Sequence, residues 1–499
     1  MKPPAVKGLA RSAAVIASGT AASQIILFAA APILTRLYDP EQFGLLAAYM
    51  AAVTILGAVS TFRFELVIPL TKRHDLAANA LALTLGCVVA TALACAIALL
   101  GFGGQFAAWF NAPDLPRYGW LVPLGVLSMG TYVALNNWAV RRRDFGIIAR
   151  TKLMQSVSQT VIQIGAAFTP FATLGLLIGS LLGQSTGITS LLRAFSRRDH
   201  GTLARLRWHR VAFIARHYWH FPAISLPASV AFSASQQTPA LVLFSQFGPA
   251  TAGFYLLAQR VGMIPATLLG TAVSQSIYRN LADHRKNPKL IGHMVLGPVQ
   301  IMNTLVIAPA VFCAVIAPLA VRILFGADWM EAGHYLRWMA PWVATTITFG
   351  AMSPVVSILG LQKMGLAFQV GSLLLSLLAM VLAGNAWGPI AAVAAFSIGK
   401  TLSTIAYRLH MLSLLHVSPR PVALSMAFQT LGYTAAFTLA ERLVDLAQSQ
   451  GAWAYVPASI LVLITVGIWV LQARRSIREL SAMHTAKGIG PSEDGIEQN

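Results

Sequence analysis

Apolar runs of about 20 residues recur along the whole chain with almost no charge inside them, and this pattern narrows the fold more than any motif. A helix rises about 1.5 Å per residue, so each run reaches across roughly 30 Å of hydrocarbon. Inside hydrocarbon every backbone N–H and C=O must be paired within the protein, which leaves helices and closed β-barrels. Barrel strands are about ten residues long and alternate in polarity, whereas segments such as Leu81 to Leu100 are apolar on every side. The spans are therefore predicted to be helical, and the chain an all-α polytopic membrane protein.

Composition agrees. Of the 499 residues 56% are hydrophobic and 10% charged, where an ordinary soluble domain carries about 25% charge. A net charge of +20 would suit nucleic acid in a soluble chain. Here the basic residues fall in short clusters between apolar runs, where they act as topology signals and give no basis for a nucleic-acid partner. Cys87, Cys95 and Cys313 lie inside apolar runs without paired spacing or a ligand-like histidine interval. They read as small core residues and not as a metal site or disulfide framework.

The runs lie at about 13–34, 42–70, 77–102, 118–140, 151–170, 171–193, 212–235, 240–262, 293–320, 335–360, 363–384, 386–410, 421–440 and 453–471. The predicted count is fourteen, with twelve as the alternative because almost no loop separates the two runs that meet at Pro170. Lys2, Lys7 and Arg11 precede the first run as they would in a signal peptide. Its length and the spans that follow make it a retained first helix.

If the N-terminus is cytoplasmic, one side receives 28 Lys and Arg and the other five, namely Arg36, Arg117, Arg322, Arg337 and Arg442. Arg63, Arg260 and Lys400 fall inside spans or at their ends. Basic loops remain on the cytoplasmic side, so the expectation is a multi-pass membrane protein with both termini cytoplasmic.

The most basic connector, Arg193 to Arg216, follows the sixth run and divides the chain. The predicted organisation is a six-helix lobe over 1–193, a basic cytoplasmic linker over 194–216, a second six-helix lobe over 217–411, and a terminal helix pair with a tail over 412–499. A weak internal repeat at an offset of 209 residues supports it: Pro40 and Gly44 in "YDPEQFGLLAAY" correspond to Pro249 and Gly253 in "FGPATAGFYLLA". The basic cluster Lys72 to Asp75 has a counterpart at Asp283 to Lys286. Both six-span units begin on the same side, so the repeat is parallel, and two such lobes enclose a cavity and rock to open it on either side.

Charges inside apolar helices are costly and mark cavities or ion pathways. Arg63 and Glu65 in "STFRFELVIPL" are the leading candidates. Two positions apart they do not face each other on an ideal helix, so they address different partners; the structural alternative has Arg63 snorkelling while Glu65 pairs with another helix. Arg36, beside Asp39, Pro40 and Glu41, either orients a tight turn or meets an anionic substrate from outside. Arg260 lies near Gln259, Gly262 and Pro265, which interrupt an apolar stretch in the manner of a discontinuous transport helix. Lys400 reads as an interfacial residue. Uncharged polar residues such as Gln155, Gln159, Gln163, Ser235, Gln236 and Asn303 suit either sugar hydroxyls or helix packing.

Catalysis finds no support: there is no justified carboxylate pair and no phosphate-binding glycine-lysine loop, so neither a catalytic residue nor a cofactor is expected. Two segments, Ala31 to Leu70 and Val321 to Val370, resemble signature regions of bacterial polysaccharide transporters, the lipopolysaccharide O-antigen flippase-like branch of the multidrug/oligosaccharidyl-lipid/polysaccharide exporter superfamily. The resemblance extends over about 10–475. It implies a two-lobed transporter that moves undecaprenyl-pyrophosphate-linked oligosaccharide by alternating access, with membrane lipids, a polysaccharide polymerase and glycosyltransferases as partners. Arg36, Arg63 and Glu65 match the family's first motif; Arg260 is a candidate on its own sequence context. A cation-coupled multidrug antiporter, which would use Glu65, and a membrane-embedded glycosyltransferase or polymerase are the alternatives.

Overall fold

Where the chain can neither continue a helix nor pair a strand, glycine and proline set the boundaries. In a computed structural model the described residues are 6–109, 115–199, 206–282, 287–350, 352–447 and 455–486. Lys2, Asp114, Arg205, Lys487 and the charge cluster Asp283 to Lys286 lie outside them. The long helices are α1 (Val6–Leu37), α2 (Pro40–Ser60), α3 (His74–Trp109), α4 (Leu121–Arg142), α5 (Phe145–Ala166), α6 (Ala172–Asp199) and α7 (Leu226–Phe247). They continue with α8 (Pro249–Ala282), α9 (Pro288–Phe325), α10 (Met330–Phe349), α11 (Gln362–Trp387), α12 (Pro389–Leu414), α13 (Arg420–Ala447) and α14 (Tyr455–Ala486). Helices α2, α8 and α12 each begin with proline, whose missing N–H is harmless in a first turn. Gly248 and Gly388, at φ 91° and 86°, supply the turns before the second and third of these.

Nine described helices are long and apolar enough to cross a membrane. Their outward faces are apolar too: Leu100 is 88% exposed, Phe428 72% and Leu463 70%. Such surface is stable only against lipid. Cys313 is exposed on one of these faces and Cys87 and Cys95 are only partly covered, so the expectation of buried core cysteines is corrected. Apolar surroundings in a membrane include lipid as well as protein.

The runs expected at about 212–235 and 240–262 correspond to helices displaced toward the C-terminus, neither of which is among those nine. An amphipathic helix, Trp208–His217, and a π-turn, Phe221–Ser225, come first, and only then do α7 and α8 begin. The sequence run merges these pieces because Arg216 is the only charged side chain from Ala212 to Phe232, so nothing in the local polarity separates the amphipathic helix from α7.

The chain forms two compact units. The first comprises Met1–Ile264, Ala317–Met339 and Lys363–Lys400; the second comprises Pro265–Ile316, Ala340–Gln362 and Thr401–Asn499. In the first, Phe64, Val67 and Ile68 pack with Ala77, Ala80 and Leu81 of α3, Ala134 and Trp138 of α4, and Ile214. Helix α6 presents Gly175, Gly179, Gly183 and Gly187, one per turn, to Ala166, Gln163, Gln159 and Gln155 of α5. Small residues spaced by four let the two backbones approach, as membrane helices require when no water drives them together. Gln163 Nε2 then donates to the Leu176 carbonyl at 3.0 Å and Tyr38 Oη donates to the Gln163 carbonyl at 2.6 Å. These glutamines serve helix packing.

In the second unit, Arg408 is 1% exposed and donates through Nη1 to Thr348 Oγ1 at 2.9 Å and through Nη2 to Asn303 Oδ1. The sequence reading counts Arg408 among the 28 basic-side residues; it is instead an interior residue tying α12 to α9 and α10. Gln429 Nε2 donates to Thr304 Oγ1, and Trp469 Nε1 to the Thr304 carbonyl, so α13 and α14 are fastened to the same stretch of α9.

Candidate functional site

The first unit brings cations to different levels of α2. Helix α1 ends at Leu37, and Asp39 N donates to Gln42 Oε1 at 3.0 Å, fixing the entry to α2. Arg36, in the last turn of α1, is exposed and makes no ion pair among the described residues. Its proximity in sequence to Asp39 and Glu41 therefore does not translate into a salt bridge.

Arg260 approaches α2 halfway along. Its Nη2 donates to the thioether sulfur of Met50 at 3.3 Å. Met50 stands ten residues beyond Pro40, about 15 Å from either end of α2. A thioether is a weak acceptor and supplies no opposing charge. Helix α8 runs unbroken through Gly262 and Pro265, which corrects the expected discontinuity; the boundary between the two compact units nevertheless falls between Ile264 and Pro265. A proline in a helix removes one N–H bond without ending the helix when the surroundings hold it.

Arg63 stands at the other end. Helix α2 stops at Ser60, and Phe62 and Arg63 adopt left-handed backbone with φ 48° and 62° before a short 3-10 turn, Phe64–Leu66. That turn brings Arg63 Nη1 to 3.1 Å from Glu65 Oε1. The expectation that the two address different partners is corrected: it assumed a continuous helix. Arg63 Nε and Glu65 Oε2 are both buried without a hydrogen-bond partner among the described residues. The adjoining loop is held by Arg141, which donates to the carbonyl oxygens of Thr71 and Lys72.

Near Arg260, Gln259 Nε2 donates to the Gln236 carbonyl at 3.1 Å, joining α8 to α7. Lys400 is buried, donates to Ser235 Oγ and lies 5.8 Å from the Phe396 ring centroid. It is an interior cation of α12, not an interfacial one.

The end of α2 beside Arg36 is closed by contacts absent from the sequence reading. A Cβ on Gly44 would lie 1.9 Å from the Pro249 carbonyl oxygen, and one on Gly253 would lie 2.0 Å from that of Pro40. The two turns thus touch backbone to backbone, each glycine on the other's proline. Trp329, fully buried, donates from Nε1 to the Thr35 carbonyl at 2.8 Å and packs edge-on against Phe43 and Phe254 at centroid distances of 4.8 and 6.0 Å. The "FGADWM" segment carried no polarity signal to mark it.

In its chemistry the arrangement offers cationic hydrogen-bond donors at three depths and one carboxylate already engaged by arginine. The fold is similar to that of the lipid II flippase MurJ in an inward closed conformation, with a TM-score of 0.72 and 15% identity over 93% of this chain and 99% of that one. It is also similar to an inward-facing multidrug resistance MATE family transporter of the MOP superfamily, with a TM-score of 0.65 and 14% identity over 79% of this chain and 95% of that one. Succinoglycan biosynthesis transport protein ExoT of Rhizobium meliloti (strain 1021) is 24% identical over 323 residues, 63% of this chain; the match spans 62% of that protein's length. A family model described as "Polysaccharide biosynthesis protein" matches residues 33–334. That is more than half of the sequence, and the chain belongs to the polysaccharide biosynthesis protein family.

Proposed function

We propose that the protein is a flippase that carries undecaprenyl-pyrophosphate-linked oligosaccharide or polysaccharide repeat units from the cytoplasmic to the periplasmic leaflet of the inner membrane by alternating access. The observation that carries this reading is the series Arg63, Arg260 and Arg36 at successive levels of α2, where only Arg63 has a carboxylate partner among the described residues. A hydrophilic anionic head can cross hydrocarbon only if polar and cationic groups replace its water, and arginine does this for phosphates with directed, charge-assisted bonds. The apolar tail stays in lipid, so only the head requires such a path.

The two-lobe reading, 1–193 and 217–411 with a terminal pair over 412–499, is supported by the reciprocal packing of Pro40 and Gly44 with Pro249 and Gly253, equivalent positions 209 residues apart. Motion of one lobe against the other would part these turns. A cation-coupled antiporter would rest on Glu65, whose Oε1 is already paired with Arg63.

Loss of the protein is expected to leave lipid-linked oligosaccharide in the cytoplasmic leaflet, scored by its protection from a membrane-impermeant glycan-oxidising reagent. If Arg36→Ala and Arg63→Ala both preserve export at normal protein abundance, contact with the head group at successive depths is wrong.

A further inference from the structure

We infer that the amphipathic helix Trp208–His217 is a binding site for the headgroup of an anionic membrane lipid. One face of the helix is fixed to the first unit: Ile214 is fully buried among Ala77, Ala80 and Leu81, Arg210 Nη1 lies 2.5 Å from Asp75 Oδ2, and the Arg207 backbone N–H donates to Asn79 Oδ1 at 2.8 Å. The opposite face is left open. His209, Phe213, Arg216 and His217 recur at helical spacing and line a shallow recess of about 520 Å³. The Phe213 and His217 rings stack at 5.3 Å with an interplanar angle of 11°, which stiffens one wall.

Charge and apolar surface together select the occupant. No acidic residue occurs anywhere from His200 to Ala282, and the nearest carboxylate on the fixed face, Asp75, is shared by Arg210 and Arg73. Arg216 makes no ion pair among the described residues and is exposed. A basic face of this kind alone would suit water and counter-ions. Trp208 at 85% exposure and Trp219 at 65% would not, because large aromatic surface is costly in water and favourable at the level of lipid headgroups. The helix is fixed to the first turns of α3, which is long and apolar enough to cross a membrane, so it lies where a span begins. An aromatic, basic, amphipathic helix at that depth matches an anionic leaflet in charge and in polarity.

The inference is independent of the transported cargo and is tested on the full-length protein reconstituted in phosphatidylcholine bilayers with or without phosphatidylglycerol. A photoactivatable phosphatidylglycerol should give adducts on the peptide containing 208–217. Unlabelled phosphatidylglycerol should compete, and soluble glycerol phosphate should not. Arg216→Gln should weaken the competition about fivefold, the scale set by one basic residue at an anionic surface. Absence of adducts on this peptide in the unaltered protein, or equal labelling by a phosphatidylcholine probe, overturns the assignment. Competition by glycerol phosphate as strong as by the lipid would make it a free-anion site and overturn the lipid source. If Arg216→Gln and Phe213→Ser both label like the parent, the recess is not the site.

Discussion

Arg63 and Glu65 form an ion pair, 3.1 Å between Nη1 and Oε1, although they stand two positions apart in the chain. On a helix those side chains would diverge. They meet because Phe62 and Arg63 adopt left-handed backbone, a conformation that costs a non-glycine residue roughly 1–2 kcal/mol. The burial of Phe64, Val67 and Ile68 immediately afterwards offsets that cost.

Glu65→Ala leaves Arg63 beside a carboxylate-free pocket, and a partly buried pair broken from one side is expected to lower stability by about 2 kcal/mol. Glu65→Gln keeps an acceptor at the same place and should lose about half as much. Thermal unfolding of the purified protein in detergent checks both; equal melting of the two variants and the parent would mean the pair does not hold the turn.

Gly44→Ala and Gly253→Ala place a methyl carbon 1.9 and 2.0 Å, respectively, from a carbonyl oxygen of the opposite turn, well inside van der Waals contact. The turns must separate, and overpacking of this kind costs about 1–3 kcal/mol. Because both glycines act on one contact, the double variant should open it by less than the sum of the single effects. The readout is the alkylation rate of Thr35→Cys in a background with Cys87, Cys95 and Cys313 replaced by alanine. A rise of about fivefold or more is expected in each single variant; an unchanged rate in both would show that this contact does not guard that end of the protein.

How much of this was legible in sequence depends on whether the signal was local. The apolar runs place most of the long described helices, since span length is set by lipid thickness and not by a partner, and they fail at α7 and α8, where an amphipathic helix precedes the first of them. The Pro40/Gly44 and Pro249/Gly253 match marks the repeat, but nothing local says that the two turns pack on each other. Lys400 and Arg408 were misplaced for a related reason. Near a helix end a basic residue ordinarily snorkels to the interface, and only contacts with Ser235, 165 positions away, and Asn303, 105 positions away, reveal that these two turn inward. The Arg63–Glu65 pair was missed because helix periodicity was extended across a left-handed turn that no glycine announces.

Arg408 offers a test of what an interior cation contributes. Its Nε has no hydrogen-bond acceptor among the described residues, nor has Asn303 Nδ2, so the cluster is incompletely satisfied. Arg408→Met alone strands Asn303 Oδ1 and should cost about 2 kcal/mol. Arg408→Met with Asn303→Leu removes both polar partners and should recover most of that loss, because an apolar replacement of a buried polar cluster is often neutral or stabilising. Unfolding of the single and double variants in detergent decides; a double variant less stable than the single would show that the cluster itself supports the fold.

Arg260 separates stability from transport most cleanly. In the proposed cycle it meets the anionic head midway along α2, yet its hydrogen-bond partner among the described residues is the Met50 sulfur. A half-buried cation with so weak an acceptor contributes little to folding, and Arg260→Met, which packs against Met50 as thioether on thioether, is expected to melt at or above the parent temperature. Export should nevertheless fall to the background of the deleted strain. Arg260→Lys keeps the charge but loses the planar fork that grips phosphate, so partial export is expected. The two variants assayed side by side for abundance, melting temperature and surface glycan distinguish the roles: if Arg260→Met exports normally, the middle level of the cation series is not on the path of the head group, whereas loss of folded protein in Arg260→Met would assign the residue to the architecture of α8 instead.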